Sequence, residues 1–140
     1  DAIPKPKVRS LQIAANLNTL FRAFDYSPAN DLLAYAASNL VCILENEPFP
    51  NVKLTLKGHS DRVNGVKWLS ENTLVSISSD KSIIIWKATG PLTDFDSWTP
   101  VQTISKAHSE SITCLTALSL SEEEIYFSTM CAGGTLKLWQ

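Results

Sequence analysis

Residues 58–87 read GHSDRVNGVKWLSENTLVSISSDKSIIIWK. The stretch opens on a Gly-His pair and closes on an apolar run ending at Trp86 and Lys87. Between them, Val63–Leu69 and Thr73–Ser78 are rich in the β-branched and aromatic residues that suit strands. The polar turn Ser70-Glu71-Asn72 separates these two runs, and Asp80-Lys81 makes a tight turn into a third strand, Ser82–Trp86. Three short strands joined by tight turns form an antiparallel meander, the elementary unit of an all-β fold.

The same order recurs on either side. Downstream, a long polar loop (Ala88–Pro100, ATGPLTDFDSWTP) leads to an expected outer strand at Val101–Ile104. A further unit starts at Ala107-His108, with strands expected at Ile112–Leu118, Ile125–Cys131 and Thr135–Trp139 and none after them. Upstream, Thr19–Asp25 reads as an inner strand, followed by the turn 27–31. The apolar runs Leu32–Ala37 and Leu40–Leu44 suit strands covered on both faces. Val52–Leu56 alternates as a half-exposed strand should. Pro48 and Pro50 mark the loop between, and Pro4 and Pro6 favour extended backbone before a short strand at Ser10–Ala14. The interval from His59 to His108 is 49 residues, longer than the roughly 40–45 of a lean repeat. The long Ala88–Pro100 loop accounts for most of the excess.

Gly58-His59, Ser76, Asp80 and Trp86-Lys87 together resemble one repeat of the WD-repeat β-propeller family, with Trp86-Lys87 standing where Trp-Asp usually sits. The resemblance implies an all-β fold, a propeller fragment of about three four-stranded antiparallel blades with the last incomplete. It divides the chain into an N-terminal extended segment at 1–18, whose strand is a candidate to close a blade, blade one at 19–57, blade two at 58–106 and a partial blade three at 107–140. Closing seven blades takes about 300 residues, so 140 residues are expected to be part of a ring. The resemblance also implies a hydrogen-bonded structural tetrad at His59, Ser76, Asp80 and Trp86. Its physics is sound: a carboxylate holds an imidazole N–H, the imidazole pairs with a hydroxyl, and the hydroxyl accepts from the indole N–H. In blade three His108, Thr129 and Trp139 fall in place, but Gly133 stands at the Asp position and Ala107 before the His, so that tetrad is expected to be partial. Blade one has Leu44-Glu45 at the Trp-Asp place and no Gly-His, hence no tetrad.

His59, Ser76 and Asp80 are also the residue types of a hydrolase triad. A nucleophile needs an exposed hydroxyl, an oxyanion hole and a pocket. Ser76 lies inside an apolar strand, no G-x-S-x-G turn exists, and the expected inner strands offer only Asp25, Lys67 and, nearby, Arg62. No catalytic, cofactor or metal site is expected; the two histidines sit in different blades, and Gly133-Gly134 precedes a strand rather than the helix of a phosphate loop. The Glu122–Glu124 run reads as a solvated turn. Asp94-Phe95-Asp96-Ser97-Trp98 puts two aromatics in a polar loop; Asp94, Phe95, Asp96 and Trp98 are therefore a candidate interface, unless they pack back on the blade edge.

The 140 residues carry a net charge of −2, with 44% hydrophobic and 19% charged residues, and lack the basic stripe that direct nucleic-acid contact requires. Lys5, Lys7 and Arg9 read as a solvated tail. No run approaches the ~20 apolar residues of a membrane helix. Cys42, Cys114 and Cys131 are odd in number, each inside an apolar run and without C-x-x-C spacing, so buried free thiols in a cytoplasmic or nuclear protein are expected. A signal pattern is lacking, as is an initiator Met, and the chain is expected to be a fragment.

Ile13–Asn16 (IAAN), Phe24–Ser27 (FDYS), Leu32–Asn39 (LLAYAASN), Leu56–His59 (LKGH), Val63–Trp68 (VNGVKW) and Ser78–Lys87 (SSDKSIIIWK) add a narrower resemblance. Within WD-repeat proteins they are similar to the N-terminal blades of the second-subunit family of the Elongator complex. That resemblance implies a non-catalytic scaffold for protein–protein assembly. Its partners would be a large scaffold subunit and a radical-SAM acetyltransferase subunit, which carries out the chemistry on tRNA wobble uridines. The alternative is a generic WD-repeat adaptor, such as a ubiquitin-ligase substrate receptor or a trafficking coat component.

Overall fold

The computed structural model describes residues 18–20, 22–45, 50–119 and 124–140. They form eleven strands in three antiparallel sheets. The first sheet is β1 (Phe24–Ser27), β2 (Leu32–Ala37), β3 (Leu40–Glu45) and β4 (Asn51–Lys57), in that order. The second is β5 (Val63–Ser70), β6 (Thr73–Ser78), β7 (Ile83–Ala88) and β8 (Trp98–Ile104). The third, β9 (Ile112–Ser119), β10 (Ile125–Cys131) and β11 (Leu136–Trp139), has three strands. Each is a meander of nearest-neighbour hairpins, the low-cost connection for antiparallel strands.

The sheets pack face to face, β5 against β1 and β2 on one side and against β9 on the other. Strand alternation explains why the middle strands of the second sheet, β6 and β7, are buried nearly throughout. In the second sheet Leu74, Ile84 and Trp86 face the first, meeting Ala34, Ala36, Ile43, Leu54 and Leu56. The intervening Val75, Ile77 and Ile83 face the third, meeting Ile112, Leu115 and Phe127. A strand with a neighbour on both faces has no polar side to present.

The first strand departs from the sequence expectation. The inner strand is Phe24–Ser27 rather than Thr19–Asp25, and Ser27 belongs to it rather than to the turn. Asn18, Leu20 and Ala23 instead make irregular backbone bonds, including Asn18 N–H to Ala36 O at 2.9 Å and Ala36 N–H to Ala23 O at 2.7 Å. The outer strand of the second sheet starts at Trp98, earlier than Val101, because a bulge between Ile85 and Trp86 lets Pro100 sit in the ladder. Cys42 and Cys131 are buried, but Cys114 is exposed. Cys114 pairs with Met130 on the face of the third sheet that points away from the second, where Leu118, Leu136 and Leu138 are also 59%, 66% and 70% exposed. The Ser10–Ala14 strand, the Lys5–Arg9 tail and most of the Glu122–Glu124 turn lie outside the described residues.

Gly58 shows why a glycine stands before His59. A Cβ there would lie 2.7 Å from Trp86 Cη2 and 3.0 Å from Ile84 Cδ1, inside contact distance of a ring that is itself buried. Gly58→Ala is therefore expected to cost about 1–3 kcal/mol through overpacking, read as a lower urea midpoint with an unchanged slope. An unaltered midpoint would show that the indole has room to move.

Candidate functional site

Ser76 on β6 and Trp86 on β7 point to the same face of the second sheet. Asp80 sits in the hairpin between those strands, and His59 in the connection entering β5. The structure brings the four together. The Trp86 indole N–H donates to Ser76 Oγ at 2.9 Å, and Ser76 Oγ lies 2.7 Å from His59 Nε2. His59 Nδ1 lies 3.1 Å from Asp80 Oδ2 and 3.0 Å from Ser82 Oγ. With the indole donating to it, the Ser76 hydroxyl gives its own proton to Nε2, so the ring proton is on Nδ1 and directed at the carboxylate.

Asp80 also accepts from Ser60 N–H (2.9 Å), Ser82 N–H (2.9 Å) and the Ser82 hydroxyl (2.6 Å). Burial pushes its carboxyl up, but the Ser82 hydroxyl, the Ser60 and Ser82 N–H groups and His59 outweigh that and hold it at about 2. His59 moves below its ordinary value because burial outweighs the pull of Asp80. Ser76 is 0% exposed. The arrangement has the contacts of a Ser-His-Asp triad with the serine sealed under an indole, so its role is to satisfy buried polar groups and staple four segments of one sheet.

The third sheet repeats half of this. His108 Nε2 lies 2.7 Å from Thr129 Oγ1, which accepts from the Trp139 indole at 2.8 Å. Gly133 offers no carboxylate, and His108 Nδ1 is buried without a partner among the described residues. Burial, then the nearby Lys137 charge, moves His108 below its ordinary value. The hairpin donors have another acceptor here: burial pushes the Cys131 thiol up, but the N–H groups of Thr135, Gly133 and Glu110 and the Thr135 hydroxyl bring it below its usual range.

The candidate interface loop divides. Trp98 is 7% exposed; it packs in the core between the first two sheets, 6.0 Å from the Trp68 ring, and its indole donates to Leu92 O at 2.9 Å. Trp98 is thus an anchor and not a contact residue, because it is the first residue of β8 and its side chain turns inward. Asp94, Phe95 and Asp96 are exposed, on a single 3-10 turn (Phe95–Ser97) that Asp94 caps.

Several polar residues to which the sequence reading gave no structural role tie the sheets together. Asn64 on β5 is 3% exposed and donates to Ser79 Oγ (2.9 Å), Ser111 Oγ (3.2 Å) and Ile112 O (2.7 Å), reaching the third sheet. Asp25 on β1 accepts from Lys67 Nζ and Trp68 N–H, each at 2.9 Å, clamping the first sheet to the second. Asn18 donates to both Ser38 O and Val63 O at 2.9 Å. The available signal was an Asn inside the apolar strand Val63–Ser70, where an unpaired amide would be costly. Among the described residues no group of His, Cys, Asp and Glu is placed to hold a metal ion.

Comparison with known proteins agrees with this geometry. The family model for the WD domain, G-beta repeat, matches residues 50–87 and 98–140. Elongator complex protein 2 of Dictyostelium discoideum is 32% identical over 79% of this chain, and that of Danio rerio 30% identical over 77%. Elongator complex protein 2 of Arabidopsis thaliana is 25% identical over 96%. The chain spans 13–17% of the length of these relatives. Among solved structures, the WD40 beta propeller domain of Doa1 superposes with a TM-score of 0.62 at 17% identity, covering 82% of this chain and 34% of that one. With three meander sheets packed face to face and a repeat match over most of its length, the chain belongs to the WD-repeat (WD domain, G-beta repeat) family.

Proposed function

We propose that this chain is part of a non-catalytic scaffold of an Elongator-type complex, serving protein–protein assembly in support of tRNA wobble-uridine modification. The observation that carries it is the breadth of the match: similarity to Elongator complex protein 2 extends over 77–96% of the chain in four organisms. Similarity confined to the shared Gly-His and Trp positions would not reach across blade one, which has neither. The geometry supports a scaffold, since the hydrolase-like set of His59, Ser76 and Asp80 has its serine sealed and serves as a staple. In this reading the partners are the large scaffold subunit and the radical-SAM acetyltransferase subunit, and the protein works in the cytoplasm, with a nuclear pool. Chemistry on tRNA belongs to the partner; this chain supplies surface.

Disrupting the gene in its native cells tests this reading. Nucleoside mass spectrometry of bulk tRNA is expected to show loss of the modified wobble uridines, restored by the wild-type gene. Unchanged modification would overturn the proposal in favour of a generic adaptor.

A further inference from the structure

Most of the large apolar side chains left exposed belong to the open faces of the end sheets. Phe24 and Tyr26 lie opposite Tyr35 and Leu33 on the outer face of the first sheet. Leu118, Leu136 and Leu138 lie on the outer face of the third. These are faces that an adjoining blade covers in a propeller, and they call for no separate partner. Phe95 is different. It is 60% exposed, it projects from the β7–β8 connection, and neither open face includes it.

The turn that carries Phe95 is held in place on both sides. Asp94 N–H donates to Pro91 O (3.1 Å) and Ser97 N–H to Asp94 O (3.2 Å), while Thr89 N–H donates to Ser97 O (3.0 Å). Asp94 Oδ1 accepts from Asp96 N–H at 3.2 Å, and Trp98 fixes the exit by its burial in the core. The turn packs against β4, where Val52 is 42% exposed, so it stands over the seam of the first two sheets. Ordering cost is thus already met before any partner arrives, which favours an aromatic anchor. The residues flanking Phe95 in sequence, Asp94 and Asp96, are exposed, and neither is in an ion pair with a described residue.

We propose that the Asp94–Ser97 turn is a protein-docking knob, with Phe95 entering an apolar cup on a partner subunit whose rim carries Lys or Arg opposite Asp94 and Asp96. Asp94 accepts from Asp96 N–H and from the Ser97 hydroxyl, but neither it nor Asp96 has a cationic partner among the described residues, and two such negative charges disfavour nucleic-acid phosphates and anionic lipid and select a basic-rimmed protein surface. The knob rests on the scaffold reading, because it presupposes an assembly.

The test uses the full-length tagged protein in its isolated assembly, with photoreactive benzoyl-phenylalanine in place of Phe95 and, as a control, of the exposed Gln102. Cross-linking from position 95 is expected to reach one subunit, at a peptide with Lys or Arg beside apolar residues, and the control is expected to miss it. Phe95→Ala is expected to weaken retention of that subunit roughly tenfold or more, and Asp96→Lys to weaken it as well, both with unaltered thermal midpoints. A wild-type assembly that survives Phe95→Ala intact, or that gives no cross-link from position 95, overturns the knob and leaves the scaffold standing. A cross-link into a complex unrelated to Elongator keeps the knob and overturns the Elongator reading. If no protein co-purifies with the wild type, both fail.

Discussion

Ser76→Ala is expected to destabilise the protein by about 2–4 kcal/mol, because one hydroxyl serves two buried groups. Its loss leaves His59 Nε2 without the proton it accepts and the Trp86 indole without its acceptor. Both residues are 3% exposed, so water has little access to replace the bond. Each stranded group costs about 1–3 kcal/mol. Ser76→Thr retains the hydroxyl and is expected to stay near wild type, as Thr129 holds the same place in the third sheet at 2.7 and 2.8 Å from its His and Trp. Thr129→Val is expected to cost less than Ser76→Ala, since Trp139 is half-buried. Urea unfolding at neutral pH provides the comparison. A Ser76→Ala loss under about 1 kcal/mol would mean that the tetrad carries no more than an ordinary hydrogen bond.

Mild acid is expected to destabilise the third sheet, and Gly133→Asp to relieve it. His108 has its folded value below the ordinary 6.5, so the unfolded chain takes up the proton more readily. Its contribution is complete above pH 6.5 and is lost as pH falls through the folded value. The groups around it explain the direction: burial disfavours the charge, Lys137 on β11 repels it, and Gly133 supplies no carboxylate. An Asp at 133 is sterically possible. Its Cβ would meet Glu110 Cγ at 3.3 Å and Cys131 Sγ at 3.7 Å, and the backbone there is not left-handed, unlike Gly134 at φ +78°. Gly133→Asp is expected to gain about 1 kcal/mol at neutral pH by giving His108 Nδ1 a partner. It should also flatten the decline in stability that sets in as pH falls below 6.5. Asp80 titrates in a separate, lower window, with stability present above its ordinary 3.8 and lost as pH falls through about 2. If Gly133→Asp and wild type decline in parallel, the acid sensitivity does not originate at His108.

The strands were legible because alternation and turn chemistry agree locally. Leu32–Ala37, Thr73–Ser78 and Ile125–Cys131 have the bounds that the residues suggest. The tetrad positions were legible through the family pattern, since Gly-His, Ser, Asp and Trp occupy fixed offsets from three turns. What stayed hidden depends on contacts between sheets. Asn64, Asp25 and Asn18 act across sequence separations of 48, 42 or 43, and 45 residues, and no local pattern reports that. Trp98 resembled a surface aromatic because its neighbours are polar; only the course of the Ala88–Trp98 connection turns it into the core. Cys114 resembled a core thiol because its run is apolar, whereas its face of the third sheet has no described sheet against it.

The proposed role of this WD-repeat chain is that of assembly surface within an Elongator-type complex. Its most direct test is affinity purification of the tagged full-length protein from its native cells, with the co-purifying subunits quantified by mass spectrometry. Recovery of the large Elongator scaffold subunit and the radical-SAM acetyltransferase subunit in near-stoichiometric amounts is expected. Recovery of a ubiquitin-ligase or coat complex in their place would contradict the functional claim, and the propeller fold would remain.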